Sequence, residues 1–270
     1  MKIEVNEISI NYQLAGDGDC LVLIHGFTDN LNMWYKQVPE FSKHCQVLSY
    51  DVRGHGQTET PQTELSSQLF AEDLQALLSA LKIDKAVILG YSMGGRIALQ
   101  FALKYPERAR ALIFANSVVR GSNDRMTEEQ IEQLAKRREQ MIDLLRGGDI
   151  QIISDVMTER SLSPGTKDRA PDLFQEYKDI KMQNDPRHYL SIMQAMIAAT
   201  AAAPDLSLLR CPALIIAGEQ DGLMPIELVK SMKASIKNST SIVLATGHAS
   251  ALEDPEGFNR AVLAFVRKLK

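Results

Sequence analysis

The fold of this chain is decided by residues 86–96, Ala86-Val87-Ile88-Leu89-Gly90-Tyr91-Ser92-Met93-Gly94-Gly95-Arg96. The four apolar residues at its start do not alternate with polar ones, which predicts a strand buried on both faces. The glycines that follow permit a sharp turn with close backbone approach, and a helix is predicted beyond them. G-x-S-x-G in a strand-turn-helix context is the sequence pattern of a nucleophile elbow. Ser92 is therefore predicted to be a nucleophile at the start of a helix.

Short apolar runs of the same kind recur along the chain, separated by segments with helical periodicity. The runs are 20–24, 47–50, 86–89, 111–115, 213–217 and 241–245, and the helical segments include 65–81, 96–104 and 258–269. The first sixteen residues instead alternate apolar and polar side chains, which predicts an antiparallel hairpin. This order of elements predicts an α/β fold with a mostly parallel sheet flanked by helices.

The interval from about residue 119 to 205 interrupts this alternation. It contains no convincing strand, has helical periodicity in 128–145 and 189–202, and holds six of the eleven methionines. Because strands and helices alternate again from Cys211 onward, residues 1–118 and 206–270 are predicted to form one core, and 119–205 a helical cap. A core of roughly 180 residues is a comfortable size for a single domain. The methionines are interpreted as packing of the helical layer, in preference to a flexible apolar substrate wall.

Composition excludes several classes of protein. The chain has 24% charged and 45% apolar residues and a net charge of −4, so it lacks the basic surplus that nucleic-acid binding requires. No apolar run approaches the about 20 residues of a membrane span, and no secretory signal is visible. The three cysteines have no metal-like spacing and are interpreted as small buried residues in strands. We therefore expect a cytoplasmic protein with reduced thiols and no bound metal.

A serine nucleophile requires a base, which is sought among five histidines. The segment Thr246-Gly247-His248 follows the last predicted strand, so a loop at the carboxyl edge of the sheet would carry His248 towards the elbow serine. His25 and His55 lie in glycine-containing turns and are interpreted as supporting loop geometry. His44 begins a predicted strand, and His188 lies in the helical interval. His248 is therefore the predicted base.

The carboxylate that orients the base is also expected at the end of a strand. The run 213–217 leads into Gly218-Glu219-Gln220-Asp221, from which Asp221 is selected, with Glu219 as the fallback. The run 111–115 ends in Asn116-Ser117 and offers no acid there. The resulting chain order of nucleophile, acid and base differs from the orders found in the two common serine protease folds.

Two backbone N–H groups are predicted to form an oxyanion hole. The first belongs to Met93, which follows the nucleophile, and the second to Phe27, in the loop Ile24-His25-Gly26-Phe27 after an early strand. Each donor of this kind can be worth about 3 to 4 kcal/mol of transition-state stabilisation.

Over nearly its whole length the sequence resembles the α/β-hydrolase family. The resemblance is carried by 25–27, 51–56, 90–94, 218–221 and 247–248. It implies a sheet of about eight strands, a cap inserted after the sixth, and Ser/Asp/His acyl chemistry without a cofactor. Residues 51–56 resemble the structural turn of the family and are left out of the catalytic set. Serine at the elbow argues against the haloalkane dehalogenase and epoxide hydrolase branches, which use Asp there.

Two segments of the sequence indicate different subtypes within the family. The elbow with its trailing arginine is similar to the menaquinone-pathway synthase, in which that arginine helps to hold a carboxylate-bearing substrate. Residues 51–58 look more like esterases and enol-lactonases. Tyr91 and Arg96 are accordingly candidate substrate-binding residues. Arg120 and Arg125 could also bind an acidic substrate, although 12 basic and 15 acidic residues between 120 and 205 do not indicate an anion site.

The primary hypothesis is a serine hydrolase that cleaves small to medium carboxylic esters or lactones through an acyl-enzyme on Ser92. One alternative uses the same residues for elimination or carbon-carbon bond cleavage on a carboxylate-bearing metabolite. Another is a non-catalytic sensor that binds a ligand in the same pocket. The expected partner is a small molecule, and no nucleic-acid or membrane partner is expected.

Overall fold

Eight strands form one sheet in the computed structural model, which describes residues 1–61, 64–119, 127–201 and 204–269. The six strands predicted from continuous apolar runs are all present, with bounds that differ from the prediction by at most two residues. The strands are β1 (Lys2–Val5), β2 (Ile8–Ala15), β3 (Cys20–Ile24), β4 (Gln46–Tyr50), β5 (Ala86–Tyr91), β6 (Ala109–Ala115), β7 (Ala213–Gly218) and β8 (Ser239–Leu244).

The strand order in the sheet is β1-β2-β4-β3-β5-β6-β7-β8. β2 pairs antiparallel with β1 and β4, whereas each pairing from β4 through β8 is parallel. The predicted α/β fold with a mostly parallel eight-stranded sheet is therefore confirmed. Because parallel strands end at the same edge, the loops after β3, β5, β6, β7 and β8 meet there.

The strands are continuously apolar because helices cover both faces of the sheet. Successive side chains of a strand point to opposite faces. In β5, Ile88 belongs to an apolar cluster with Leu74 and Phe101, whereas the adjacent Leu89 belongs to a second cluster with Phe258. One strand thus contributes to two cores.

The helices surround this sheet. They are α1 (Val38–Phe41), α2 (Ser67–Ala80), α3 (Met93–Lys104), α4 (Glu128–Gly147), α5 (Ile150–Ser161), α6 (Thr166–Arg169), α7 (Pro171–Met182), α8 (Tyr189–Ala201), α9 (Ile226–Ser235), α10 (Ser250–Glu253) and α11 (Pro255–Arg267). Among the described residues, none of these helices has the length and apolar character of a membrane span.

α3 begins at Met93, directly after the elbow serine, as the elbow pattern predicts. Helical periodicity alone indicates this helix only from Arg96 onward. Gly94 and Gly95 have poor intrinsic helix propensity and obscure the periodic pattern. Tertiary packing of the elbow, described below, overrides that propensity.

Between β6 and β7, the described residues 127–201 form the helices α4 to α8 and contain no strand. We refer to this segment as the helical insertion. It lies within the interval 119–205 that the sequence assigns to a cap. Tyr177 on α7, together with Tyr189 and Ile192 on α8, is fully buried, so the insertion packs closely on the core.

All three cysteines are buried and no disulfide joins them, as the sequence indicates. Only Cys20 lies in a strand, where it begins β3. Cys45 directly precedes β4 and Cys211 lies two residues before β7, so their predicted location within strands is wrong. Burial raises the pKa of the Cys211 thiol to about 11 and that of the Cys20 thiol to about 12.

A buried ion pair joins the turn after β4 to α2. The Nε and Nη2 groups of Arg53 donate to the two carboxylate oxygens of Asp73 at 2.8 and 2.7 Å. Both side chains are less than 5% exposed. Removing one member of such a pair leaves the other charge buried without compensation.

We expect Arg53→Met to lower the free energy of unfolding by about 3 to 5 kcal/mol, because Asp73 would stay buried and unpaired. The double substitution Arg53→Met/Asp73→Leu should cost less than the single one. Urea unfolding followed by circular dichroism measures both. Lys43→Met, which removes an exposed ion pair with Glu40, serves as the control and should leave stability nearly unchanged. A double variant less stable than Arg53→Met would contradict this account.

Candidate active site

Ser92 lies between β5 and α3 with φ 51° and ψ −113°, a backbone conformation that non-glycine residues rarely adopt. Two hydrogen bonds hold it there. The Ser92 N–H donates to the Ala115 carbonyl at 3.0 Å, and the Ser117 hydroxyl donates to the Ser92 carbonyl at 2.7 Å. The end of β6 thus fixes the conformation of the elbow.

The glycines of the elbow are required by close packing. A Cβ on Gly90 would overlap the Gly94 carbonyl, and a Cβ on Gly94 would overlap the Ile24 carbonyl oxygen at the end of β3. A Cβ on Gly95 would overlap the Ser117 hydroxyl. The turn can therefore press against both neighbouring strand ends only where side chains are absent.

The structure brings Ser92, His248 and Asp221 into one hydrogen-bonded chain. The Nε2 atom of His248 lies 2.9 Å from Ser92 Oγ, and its Nδ1 atom lies 2.8 Å from Asp221 Oδ2. An ionised carboxylate only accepts hydrogen bonds, so Nδ1–H of the neutral ring donates to Asp221. The Nε2 lone pair then faces the serine hydroxyl.

Asp221 is buried and is held as an anion. Burial opposes its ionisation, but the charge and hydrogen bond of His248, followed by the Met224 and Leu223 N–H groups, bring its pKa below the ordinary value. Both N–H groups donate to Asp221 Oδ1 at 2.9 Å. The fallback acid Glu219 is exposed on the same turn, so the geometry favours Asp221.

Asn116 is a site residue that sequence reasoning missed. It follows β6 with φ 44°, and its Nδ2 group donates to Asp221 Oδ2 and to the Gly247 carbonyl, both at 3.2 Å. Asn116 thereby connects the loop of the acid to the loop of the histidine. Its place at the end of a predicted strand is a signal in the sequence, which a prediction restricted to acidic side chains does not use.

The loop after β3 carries Phe27 and is held by buried histidines. The Nδ1–H of His25 donates to the Gly26 carbonyl at 2.8 Å, while its Nε2 atom accepts from the Val52 N–H at 2.9 Å. His55 Nε2 accepts from the Thr28 N–H at 3.3 Å. Both histidines therefore support loop geometry, as the sequence indicates. His44 lies in the turn before β4 and does not begin the strand, and His188 lies in the insertion.

The two predicted oxyanion donors remain available. In the described part of the chain, neither the Phe27 N–H nor the Met93 N–H donates to a protein acceptor. Met93 is the first residue of α3, so its N–H belongs to the positive end of the helix dipole. Phe27 lines the cavity described next.

Ser92 and His248 open into a cavity of about 480 Å³, a volume that suits a small organic ligand. The predicted substrate-binding residues Tyr91 and Arg96 line it as well. Burial raises the pKa of Tyr91 well above its ordinary value, and its hydroxyl lies 3.4 Å from that of Tyr177 on α7. The elbow and the helical insertion therefore form one enclosure.

The methionines of the insertion do more than pack its helices. The cavity wall includes Met141, Met157, Met193 and Met196, which also contact the main apolar cluster. These residues belong to the cavity wall as well as to the core, so their interpretation as core packing alone is incomplete. A flexible thioether fills irregular space and adapts to different apolar ligands.

Four arginines line the same cavity: Arg96, Arg137, Arg138 and Arg160. The balance of charges across 120–205 does not reveal Arg137, Arg138 and Arg160, because most of the acidic residues of that interval lie away from the cavity. Glu227 and Asp29 are the acidic lining residues among those described, and Asp29 is paired with Lys181. Arg120 and Arg125 lie outside the described residues.

Comparison with known proteins agrees with this geometry. The sequence pattern of the family described as "alpha/beta hydrolase fold" matches residues 19–255. The chain belongs to the α/β-hydrolase family. This α/β hydrolase is 29% identical over 268 residues to 3-oxoadipate enol-lactonase 2 of Acinetobacter baylyi, covering 98% of this chain and 96% of that protein.

Two solved structures resemble this α/β hydrolase over their full lengths. The enol-lactonase from Burkholderia xenovorans LB400 has a TM-score of 0.88 and 25% identity, covering 99% of this chain and 100% of that one. The malate-bound thermophilic esterase from Thermogutta terrifontis has a TM-score of 0.85 and 25% identity, covering 100% and 98%. The resemblance to esterases and enol-lactonases is thus confirmed, and these relatives support a hydrolase activity.

We expect Gly94→Ala to destabilise this α/β hydrolase, because the added methyl group would displace the rigid carbonyl of Ile24. A loss of about 1 to 3 kcal/mol is typical of overpacking. Gly147→Ala is the matched control, since its Cβ would meet open space near the end of α4. Thermal unfolding compares the two. Equal melting temperatures would show that the elbow tolerates a side chain at position 94.

Proposed function

We propose that this α/β hydrolase cleaves small to medium carboxylic esters or lactones through an acyl-enzyme on Ser92. The observation that carries the proposal is the hydrogen-bonded chain from Ser92 through His248 to Asp221, with distances of 2.9 and 2.8 Å, at the wall of a mainly apolar cavity. The enol-lactonase and esterase relatives support the same class of substrate.

Acylation begins when His248 Nε2 accepts the hydroxyl proton of Ser92 as Oγ attacks the acyl carbon. The negative oxygen of the tetrahedral intermediate accepts hydrogen bonds from the N–H groups of Phe27 and Met93. The intermediate collapses as the protonated His248 donates its proton to the leaving oxygen. An ester releases an alcohol, whereas in a lactone the new hydroxyl stays attached to the acyl group.

Deacylation repeats these steps with water as the nucleophile. His248 accepts a proton from water, the hydroxide adds to the acyl carbon, and the collapse returns the proton to Ser92 Oγ. Asp221 holds the ring orientation throughout and stabilises the imidazolium that forms. Acylation and deacylation use only side chains and backbone N–H groups of the protein, so the proposed partner is the small-molecule substrate alone.

We expect Ser92→Ala to lower turnover of short p-nitrophenyl esters and simple lactones by about 10⁶, because the nucleophile acts as a unit with its base. A fluorophosphonate should add one adduct to the wild-type protein at Ser92 and none to the variant, as read by intact mass. Ser92→Ala with wild-type turnover would refute the proposal. No adduct on the wild-type protein would favour the ligand-sensor hypothesis instead.

A second candidate is elimination or carbon-carbon bond cleavage on a carboxylate-bearing metabolite. The observation that favours it is the pair Arg137 and Arg160, which line the cavity from α4 and α5. Burial, and then the positive charge of Arg137, lower the pKa of Arg160 from its ordinary value. Among the described residues neither arginine has an acidic partner, so an anionic ligand would relieve their repulsion.

We expect Arg137→Met/Arg160→Met to raise KM for carboxylate-bearing substrates by roughly 10 to 100-fold, the usual worth of hydrogen bonds to a charged group. Turnover of neutral esters should stay close to wild type. Lys136→Met, which removes an exposed charge from α4 beside the cavity, is the control. Steady-state kinetics with paired charged and neutral substrates separates the outcomes, and product analysis distinguishes hydrolysis from elimination. An equal effect on both substrates would contradict the anion-binding role.

A further inference from the structure

A fully buried ion pair connects the helical insertion to the loop that carries Phe27. Lys181 on α7 and Asp29 each have 1% of the side chain exposed, and the Lys181 ammonium donates to Asp29 Oδ1. The ammonium also lies 3.4 Å from the Thr28 hydroxyl and 4.0 Å from the centre of the Tyr177 ring. Burial lowers the pKa of Lys181 from its ordinary value, and Asp29 opposes that shift.

Asp29 lies close to the position where negative charge develops in the proposed reaction. It follows Phe27 by two residues and lines the same cavity as Ser92 and His248. Its Oδ2 atom lies only 2.7 Å from the position that a Cβ on Gly26 would occupy, so the carboxylate presses against the loop itself. In a site of low dielectric, an uncompensated carboxylate here would oppose the formation of an oxyanion.

The end of α7 also holds the loop mechanically. Thr28 has φ 65°, an uncommon conformation for a threonine. Asn184 Nδ2 donates to the Thr28 carbonyl at 2.9 Å, and Asn30 Nδ2 donates to the Ile180 carbonyl at 2.7 Å. The backbone that presents Phe27 is therefore bound directly to the insertion on both sides of Asp29.

We propose that Lys181 is a positioning residue: it neutralises Asp29, so that the Phe27 N–H, in the loop held by Asn184 and Asn30, can stabilise the oxyanion. This inference rests on the proposed function. Lys181 does not touch the reacting atoms and acts through Asp29 and Thr28. The insertion thus contributes to catalysis as well as to the cavity wall.

A charge-neutralising role can be separated from a merely structural one by removing both charges. Lys181→Met leaves the Asp29 carboxylate uncompensated, whereas Lys181→Met/Asp29→Asn removes the charge that Lys181 balances. Lys178→Met is the matched control, because Lys178 lies on the same helix and pairs with Asp155 at 2.8 Å, away from the loop. Steady-state kinetics on a neutral ester, the rate of fluorophosphonate labelling and thermal unfolding are measured for all of them.

We expect Lys181→Met to lower kcat and the labelling rate by about 10 to 100-fold with KM within about threefold of wild type, somewhat less than the loss of a whole oxyanion donor. The double variant should recover to within about fivefold of wild type, since the opposing charge is gone. Lys178→Met should have kcat, KM and a labelling rate close to those of the wild-type protein.

Wild-type kinetics in Lys181→Met, or a double variant as slow as the single one, would overturn the proposal. If Lys181→Met does not fold, the double variant alone tests the proposal. In that case, a folded double variant with kcat more than tenfold below the wild-type value would overturn the proposal. Failure of the proposed function is distinguishable, because the wild-type protein would then remain unlabelled at Ser92 whatever residue stands at position 181.

Discussion

The left-handed backbone of Ser92 is the constraint on which the rest of the site depends. A non-glycine residue held in such a conformation costs about 1 to 3 kcal/mol, and it persists only where its surroundings leave no alternative. Here the end of β6 binds both backbone groups of Ser92, and the elbow packs against the end of β3 without intervening side chains. The same close packing gives α3 its start at Met93. The Met93 N–H, which has no protein acceptor among the described residues, therefore directly follows the strained serine.

Sheet topology explains why His248, Asp221 and Asn116 lie at the same edge of the sheet as Ser92. Neighbouring parallel strands end at one edge, so residues that are far apart in the sequence meet there. Asn116 follows β6, Asp221 follows β7 and His248 follows β8, and these strands lie in that order from β5 to the edge of the sheet. Asn116 bridges the loops of the acid and the base, and it makes their relative position depend on β6 as well.

The strands, and the positions of Ser92, His248 and Asp221 at one edge of the sheet, were predictable because each depends on local pattern. Continuous apolar runs indicate strands covered on both faces, and the residues directly after them fall at the site. Arg96 was predicted as a candidate site residue from the elbow pattern, but the positions of Arg137, Arg138 and Arg160 on the helical insertion and of the Lys181–Asp29 pair were not predictable in this way. They depend on how the helices of the insertion are oriented and packed over the sheet. This is a property of the tertiary structure and produces no periodic pattern in the sequence. The charge balance of residues 120–205 does not reveal these arginines, because it does not depend on which side chains face the cavity.

The partner of Asp29 has a further consequence for how this chain could be recombined. The loop after β3 contains the buried carboxylate of Asp29. The compensating cation, Lys181, belongs to a different segment, the helical insertion between β6 and β7. The sheet and its loops are therefore not electrostatically complete by themselves. A chimera that joined this core to the insertion of a relative would need a cation at the position of Lys181 or an uncharged residue at the position of Asp29. Exchange of the insertion, which forms part of the cavity wall, is thus coupled to a single pair of buried charges.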